Sequence, residues 1–230
     1  MFIVLKKKTL ILAAVILAAV VLACGALGVT LSAQKTSALM KKKVVIDAGH
    51  GGSDRGVIGK NGTEEAVKNL EIAFRLKSVL EDGGFSVVMT RTSDAGADAA
   101  GGFKQEDFRR RKETIEKANP DMVVSIHCNK FPQSDRRGAQ VFYNGLSKEG
   151  KIFADAVQHS LNGLNARYVA KTFSALKGEY YMLNCTENPS VIVECGFLSN
   201  PDDEQLLSDE KYLDELVFSI YGGIVAYLEV

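Results

Sequence analysis

The sequence predicts an α/β domain built on a largely parallel sheet, and three observations carry that expectation. Short apolar runs rich in Val and Ile, at 44–46, 122–126 and 190–193, read as strands buried on both faces, the kind found in parallel sheets. From residue 44 onward, strand-like and helix-like segments alternate. Each run also leads into one polar residue suited to binding a metal or moving a proton. Val44-Val45-Ile46-Asp47-Ala48-Gly49 leads into His50, Met122-Val123-Val124-Ser125-Ile126 into His127, and Ser190-Val191-Ile192-Val193 into Glu194. The chain has three histidines, and two of them stand at such ends. Open α/β sheets bind ligands beyond the carboxyl ends of their strands, so these ends describe a site.

Taken in order, the chain begins with Lys6, Lys7 and Lys8, followed by an uncharged, mostly apolar stretch from Thr9 to Gln34. A signal-peptide core needs roughly 7–15 apolar residues and a membrane-spanning helix about 20. The stretch therefore reads as an N-terminal hydrophobic helix, and three fates compete for it. It is a signal anchor, a signal peptide cleaved near Ala26-Leu27-Gly28 or Leu31-Ser32-Ala33, or a lipoprotein signal at Val21-Leu22-Ala23-Cys24. The basic flank on its amino side keeps that end in the cytoplasm, so every fate exports the remainder, membrane-anchored or secreted. Residues 1–40 are thus read as signal or anchor plus linker, and 41–230 as one catalytic-size domain.

Gly51 to Asp54 and Gly59 to Gly62 mark a loop leaving the first strand. Thr63 is expected to cap a helix running to about Asp82, with Ala66, Leu70, Ala73, Phe74 and Leu80 on its apolar face and Gly83-Gly84 ending it. A strand at 85–90, a loop at 93–102 and a charged helix at 105–119, stopped by Pro120, come next. The His127 strand, a turn through Ser134 to Gly138, a strand at 139–143 and a helix over about 148–164 follow. Residues 165–189 look irregular, with a strand near Tyr180 to Leu183. The Glu194 strand precedes two closing helices opened by Asn200-Pro201.

The chain holds 28 basic and 28 acidic residues; four lysines and no acids lie in 1–40, leaving 24 against 28 and a formal charge of −4 for the rest. A mildly acidic domain gives no basis for nucleic-acid binding. The Arg109-Arg110-Arg111 cluster reads as a solvated helix face. Cys128, Cys185 and Cys195 are irregularly spaced and odd in number, so they form no disulfide framework, and strand alternation turns Cys128 and Cys195 away from the site into packing.

Catalytic zinc sites use about three protein ligands of His and carboxylate type and leave a position for water. His50 and His127 supply two, and the third is expected from Glu64 or Glu65, at the start of the helix after the first strand. Glu194 is then free to act as general base. Ser125 and Asn129 share the His127 face and are placed to touch substrate. Asp47 either orients a ligand histidine or stabilises the turn as a buried carboxylate. Arg91 is read as a structural ion-pair residue and His159 as a surface histidine.

The segments Val-Ile-Asp-Ala-Gly-His-Gly-Gly (45–52), Ser-Ile-His-Cys-Asn (125–129) and Val-Glu-Cys-Gly-Phe-Leu-Ser-Asn (193–200) resemble the zinc-dependent N-acetylmuramoyl-L-alanine amidases, cell-wall hydrolases also called amidase type 3. The likeness extends over nearly all of 44–229, including Met89-Thr90-Arg91-Thr92. It implies a single domain with a twisted, mostly parallel sheet of about six strands and helices on both faces. It also implies Zn²⁺ held by His50, His127 and Glu65, Asn69-Leu70 setting the glutamate at 65 rather than 64, with Glu194 as the catalytic base. Ala48 departs from a frequent Pro of the family. The implied substrate is peptidoglycan, cut at the amide between muramic acid and L-alanine. Tyr143 to Ser147 leaves no room for the inhibitory helical insertion of many members, so control is expected from an activating protein partner, substrate structure or expression. A membrane-anchored single-domain member resembles the spore-cortex amidase type. Two other readings compete: a different zinc hydrolase of wall material, such as a peptidase or deacetylase, and a catalytically silent, membrane-tethered wall-binding protein.

Overall fold

The computed structural model describes residues 16–22, 24, 42–94, 104–133 and 135–229. The chain divides into two units, 1–41 and 42–230. In the first, residues 16–22 are helical. Apart from Cys24, which is also helical, the rest of the export segment, including Lys6 to Lys8 and both cleavage positions, lies outside the described residues, as do Ser134 and most of the loop expected at 93–102. Among the described residues no helix is long and apolar enough to cross a membrane.

Among the described residues the second unit carries six strands, β1 (Lys43–Ala48), β2 (Ser86–Met89), β3 (Met122–Asn129), β4 (Gln140–Tyr143), β5 (Leu176–Lys177) and β6 (Ser190–Phe197). Its helices are α1 (Glu65–Asp82), α2 (Lys104–Ala118), α3 (Lys148–Tyr168), α4 (Tyr181–Asn184), α5 (Pro201–Leu206) and α6 (Glu210–Leu228). The strands form one sheet in the order β2-β1-β3-β6-β4-β5, parallel throughout except where β4 meets β6. This is the mostly parallel α/β sheet the apolar runs predict. Every residue of β6 and the first five of β3 are buried, as strands covered on both faces must be.

Alternation along the strands divides the core. Val45 and Asp47, Val123, Ser125 and His127, and Ile192 and Glu194 fall in adjacent register on one face. There Val45 and Val123 pack with Ile115 of α2 and Met182 of α4. On the other face α1 packs on β3, and α6 packs on α1 and α3. Cys128 and Cys195 fall on this second side and are buried free thiols.

Four local expectations are corrected. His127 and Glu194 do not end their strands, because the β3–β6 ladder continues through a register shift between His127 and Asn129 to pair Asn129 with Phe197. The strand expected at 180–183 is the short helix α4: consecutive Met182 and Leu183 are both buried, which a helical turn permits, and β5 forms instead at 176–177. Helix α1 is capped at Glu64, with no side-chain cap, rather than by Thr63. Its first N–H groups are taken by backbone, Glu65 donating to the Val57 carbonyl and Ala66 to that of Arg55. Its buried face is Ala66, Ile72, Ala73, Leu76 and Leu80, with Glu65 and Asn69, whereas Phe74 is 42% exposed.

Candidate metal centre and active site

His50 lies two residues beyond β1, with φ of 62°, a left-handed backbone that a non-glycine residue holds only when its surroundings impose it. Two buried arginines impose it here. Arg111 donates to the carbonyls of Ala48 (2.7 Å) and His50 (2.6 Å). Arg91 donates to Ala48 (2.8 Å), Gly49 (3.0 Å) and Ser93 (3.0 Å), and reaches Ala66 in the first turn of α1 (2.7 Å). The loop after β1 and the start of α1 are thus tied together by guanidinium groups. Arg91 serves carbonyls rather than the ion pair expected of it, and burial together with nearby Arg111 pulls its pKa down to about 10. Arg111 is 1% exposed, not part of a solvated helix face.

Asp47 explains how Arg111 can be buried. Its carboxylate accepts from Arg111 Nη1 (2.7 Å), Thr90 Oγ1 (2.7 Å) and Ser125 Oγ (2.5 Å). Burial alone would raise its pKa, but the Arg111 charge and the hydroxyl donors outweigh that and hold it near 2. These partners select the buried-carboxylate alternative for Asp47 and correct the expectation for Ser125. Asp47 orients no ligand histidine directly, and Ser125 is consumed by Asp47 instead of facing substrate.

The histidine orienter is Asp54, four residues past His50. Its Oδ2 stands 2.9 Å from His50 Nδ1, and its Oδ1 accepts from the Gly56 amide at 3.0 Å. When Nδ1–H is donated to Asp54, a neutral ring keeps its Nε2 lone pair for a metal ion, and a protonated ring donates Nε2–H as well. Glu65 Oε1 lies 3.2 Å from His50 Nε2 and 3.1 Å from His127 Nδ1, where it accepts from the rings when those nitrogens carry protons. The two imidazoles sit edge to face, 5.0 Å apart at 78°. One candidate ligand atom from each of His50, Glu65 and His127 lies within 4.8 Å of the others.

Glu65 is buried, and burial opposes its charge, yet hydrogen bonds from His127 and His50 hold it well below the usual carboxylate range. The backbone supports the same charge: Val57 N donates to Oε2 (2.8 Å) and Cys128 N to Oε1 (3.2 Å), with Asn69 Nδ2 at 3.3 Å. Burial lowers the pKa of His50, but Glu65 and Asp54 more than reverse this and raise it. Glu64, the alternative ligand, instead pairs with Arg55. Two glycines make the close approach feasible. A Cβ at Gly49 would overlap the His127 ring, and one at Gly56 (φ 66°) would come within 2.6 Å of Glu65 Oε2. The donor set of two imidazoles and one carboxylate on rigid elements fits a divalent transition metal.

Glu194 stands in register with His127 on the neighbouring strand and is 8% exposed. Its Oε2 is a buried oxygen with no hydrogen-bond partner, a group that a buried site rarely leaves idle. Burial raises its pKa to about 7, His127 and His50 opposing the rise and Glu65 adding to it. A carboxyl that gains and loses a proton near neutrality beside a metal-type cluster can carry general base and acid chemistry. His50, Glu65, His127 and Glu194 line one cavity of about 550 Å³, with Asn129 and Lys130 also on its wall. His159, by contrast, is exposed on α3.

Asp54 and Arg111 were missed as functional residues by reading along the chain. Asp54 carried a usable signal, since an acid four residues after a candidate ligand histidine in a glycine-rich loop can reach its ring. Changing Asp54 to Asn should weaken metal affinity by about 10–100-fold, as the loss of a partner that orients a ligand histidine does. Competition with a chelator of known affinity checks this, and an unchanged dissociation constant would remove Asp54 from the site.

Residues 44–226 match the family model described as N-acetylmuramoyl-L-alanine amidase. Among curated proteins the chain is similar to the germination-specific N-acetylmuramoyl-L-alanine amidase of Bacillus subtilis (strain 168), 38% identical over 194 residues, 82% of this chain and 81% of that protein. Among solved structures it resembles the CwlD amidase from Clostridioides difficile in complex with the GerS lipoprotein. There the TM-score is 0.73 and the identity 35%, over 82% of this chain and 98% of that one. The N-acetylmuramoyl-L-alanine amidase AmiC2 of Nostoc punctiforme is similar at a TM-score of 0.68 and 29% identity, over 82% and 98% of the two chains.

Proposed function

The chain belongs to the N-acetylmuramoyl-L-alanine amidase family and is a peptidoglycan amidase; on that premise we propose that His50, Glu65 and His127 hold a zinc ion and that Glu194 moves the proton. One observation carries the assignment of roles. Glu65 is shared at hydrogen-bond distance by both histidines, while Glu194, on the adjoining strand, keeps a buried oxygen uncommitted. The four residues therefore separate into a donor set and a free carboxyl.

When bound, zinc lowers the pKa of a coordinated water and polarises the carbonyl to be attacked. The protein's own groups do the rest. Asp54 holds the His50 ring, and Arg91 and Arg111 hold the backbone that carries it. Glu65 stays anionic and offsets part of the metal's charge. Glu194 takes the proton of the attacking water and returns it to the departing amine of L-alanine, a two-way role suited to its pKa of about 7. Asn129, at the cavity wall, is assigned to substrate contact.

The apolar run after Lys8 supports export of the 42–230 unit, so that it acts outside the cytoplasm, at the membrane or in the wall. A relative described as germination-specific and another solved with a lipoprotein support two finer assignments: a spore-cortex substrate and an exported protein partner that controls the enzyme. The β4–α3 connection spans only residues 144–147, which supports control from outside the domain.

Digestion of purified peptidoglycan tests the bond. New free L-alanine amino termini on an intact glycan are the expected products. New carboxyl groups inside the stem peptide would mean a peptidase, new amino sugars a deacetylase, and no products a wall-binding protein. For the cortex assignment, spores from a disrupted strain are expected to lack muramic lactam; unchanged lactam would overturn it.

A further inference from the structure

The cavity wall contains a feature that metal and proton chemistry does not use. Tyr180 and Tyr181, consecutive residues entering α4, are 42% and 45% exposed, and both line the cavity with Glu194. Exposing two adjacent large rings is unfavourable unless something covers them. Neither ring is loose. Tyr180 meets Phe142 edge to face at 5.5 Å and 79°, and a Cβ at Gly178 would come within 2.5 Å of its Cε2, so the ring is seated over a glycine. Tyr181 lies tilted on Phe108 at 5.0 Å and 33°. Buried Met182 and Leu183 fix the helical turn that follows. Two rings braced from behind and half open in front form a preorganised platform, which loses little entropy on binding.

We propose that Tyr180 and Tyr181 are the saccharide platform of the active site, stacking against pyranose rings of the glycan strand while the scissile amide reaches Glu194. Charge favours the sugar over the stem peptide as occupant. A pyranose is neutral and presents a face of C–H bonds, which suits the electron-rich face of an aromatic ring. The stem peptide bears carboxylates, and Tyr180 is close enough to Glu194 that the Glu194 charge, after burial, adds to the raised pKa of Tyr180. Of the Lys and Arg side chains lining the cavity, Arg111 is held by Asp47 and Asp107, which leaves exposed Lys130 at the end of β3 for an anionic group.

The proposal rests on the amidase reading, and its test separates the two. The full-length zinc-loaded chain is assayed on a peptide-bearing disaccharide oligomer and on the matching D-lactoyl peptide with no sugar. Wild-type enzyme should favour the glycan substrate, and Tyr180→Ala and Tyr181→Ala should each cut that preference by about five- to tenfold, through KM. The Tyr→Phe variants should retain it, because stacking needs the ring and not the hydroxyl. Binding is read independently by titrating peptide-free glycan oligomers into wild-type protein and following tyrosine fluorescence, which no tryptophan obscures in this chain. A saturable change that Tyr180→Ala and Tyr181→Ala diminish supports the platform. Alanine variants with the wild-type preference, equal losses on both substrates, or no saturable glycan signal would overturn it. Should wild-type enzyme cleave neither substrate, the amidase reading fails, while the glycan titration still decides the platform.

Discussion

Glu194→Ala is expected to lower kcat by about 10²–10⁴-fold, the usual contribution of a positioned general acid–base, while the protein keeps its zinc. The carboxyl is buried, has a pKa raised by that burial to about 7, and stands outside the cluster of His50, Glu65 and His127. Losing it therefore removes a proton carrier and leaves the donor set whole. Glu65→Ala should behave in the opposite order and shed metal first, since it removes the one carboxylate that both histidines share. Parallel measurement of kcat and zinc content distinguishes the two. Wild-type turnover in Glu194→Ala would withdraw its role as base, and loss of zinc in step with activity would make Glu194 a ligand.

Asp47→Asn is expected to destabilise the fold by about 3–5 kcal/mol, the cost of breaking a buried ion pair from one side. Arg111 stays at 1% exposure and loses one of its two carboxylate partners; the Asn oxygen can still accept from Thr90, but the amide nitrogen in place of Oδ2 can no longer accept from Ser125. Chemical denaturation measures the loss, and a shift worth less than about 1 kcal/mol would show that Asp107 alone satisfies Arg111. The same carboxylate gives a pH dependence. Its pKa falls from 3.8 to about 2 on folding, so its contribution, about 2 kcal/mol, is full above pH 4 and lost as the pH drops through 2. Wild-type stability should decline over that window, and the Asp47→Asn variant should decline less.

Local chemistry explains why so much of the site was legible along the chain. Strands buried on both faces must be apolar, so His50, His127 and Glu194 stood out against Val and Ile. The first turn of the helix after β1 had to lie near the carboxyl edge of the sheet, which confined the third donor to Glu64 or Glu65. Choosing between them rested on a resemblance through Asn69-Leu70; in the fold, Glu65 points inward to both histidines and Glu64 outward to Arg55. Long-range partners were another matter. Arg111 sits in a run of three arginines whose neighbours pair with Glu106 and Glu113 on the helix surface, and nothing in that run marks one member for burial. Only the packing of α2 across β1 selects it. Tyr180 and Tyr181 were masked in the same way, for aromatic and apolar character at 180–183 suggested a strand where the fold makes a short helix.

By itself the sequence determined the sheet class, the polar residues at its working edge, the apolar export segment as an expectation, and the chemistry those residues bring. The tertiary structure alone decided which acid serves which base. Asp47 went to Arg111 and not to a histidine, Asp54 went to His50, and two guanidiniums were spent on the backbone that presents the metal-type donors. The reason is physical. Periodicity and residue type report what a side chain prefers to touch, water or protein, and both survive in one dimension. A hydrogen-bond partner is set by distance and direction between groups far apart in the chain, 64 positions for Asp47 and Arg111 and 78 for Asp47 and Ser125, and those exist only once the sheet and its helices have packed.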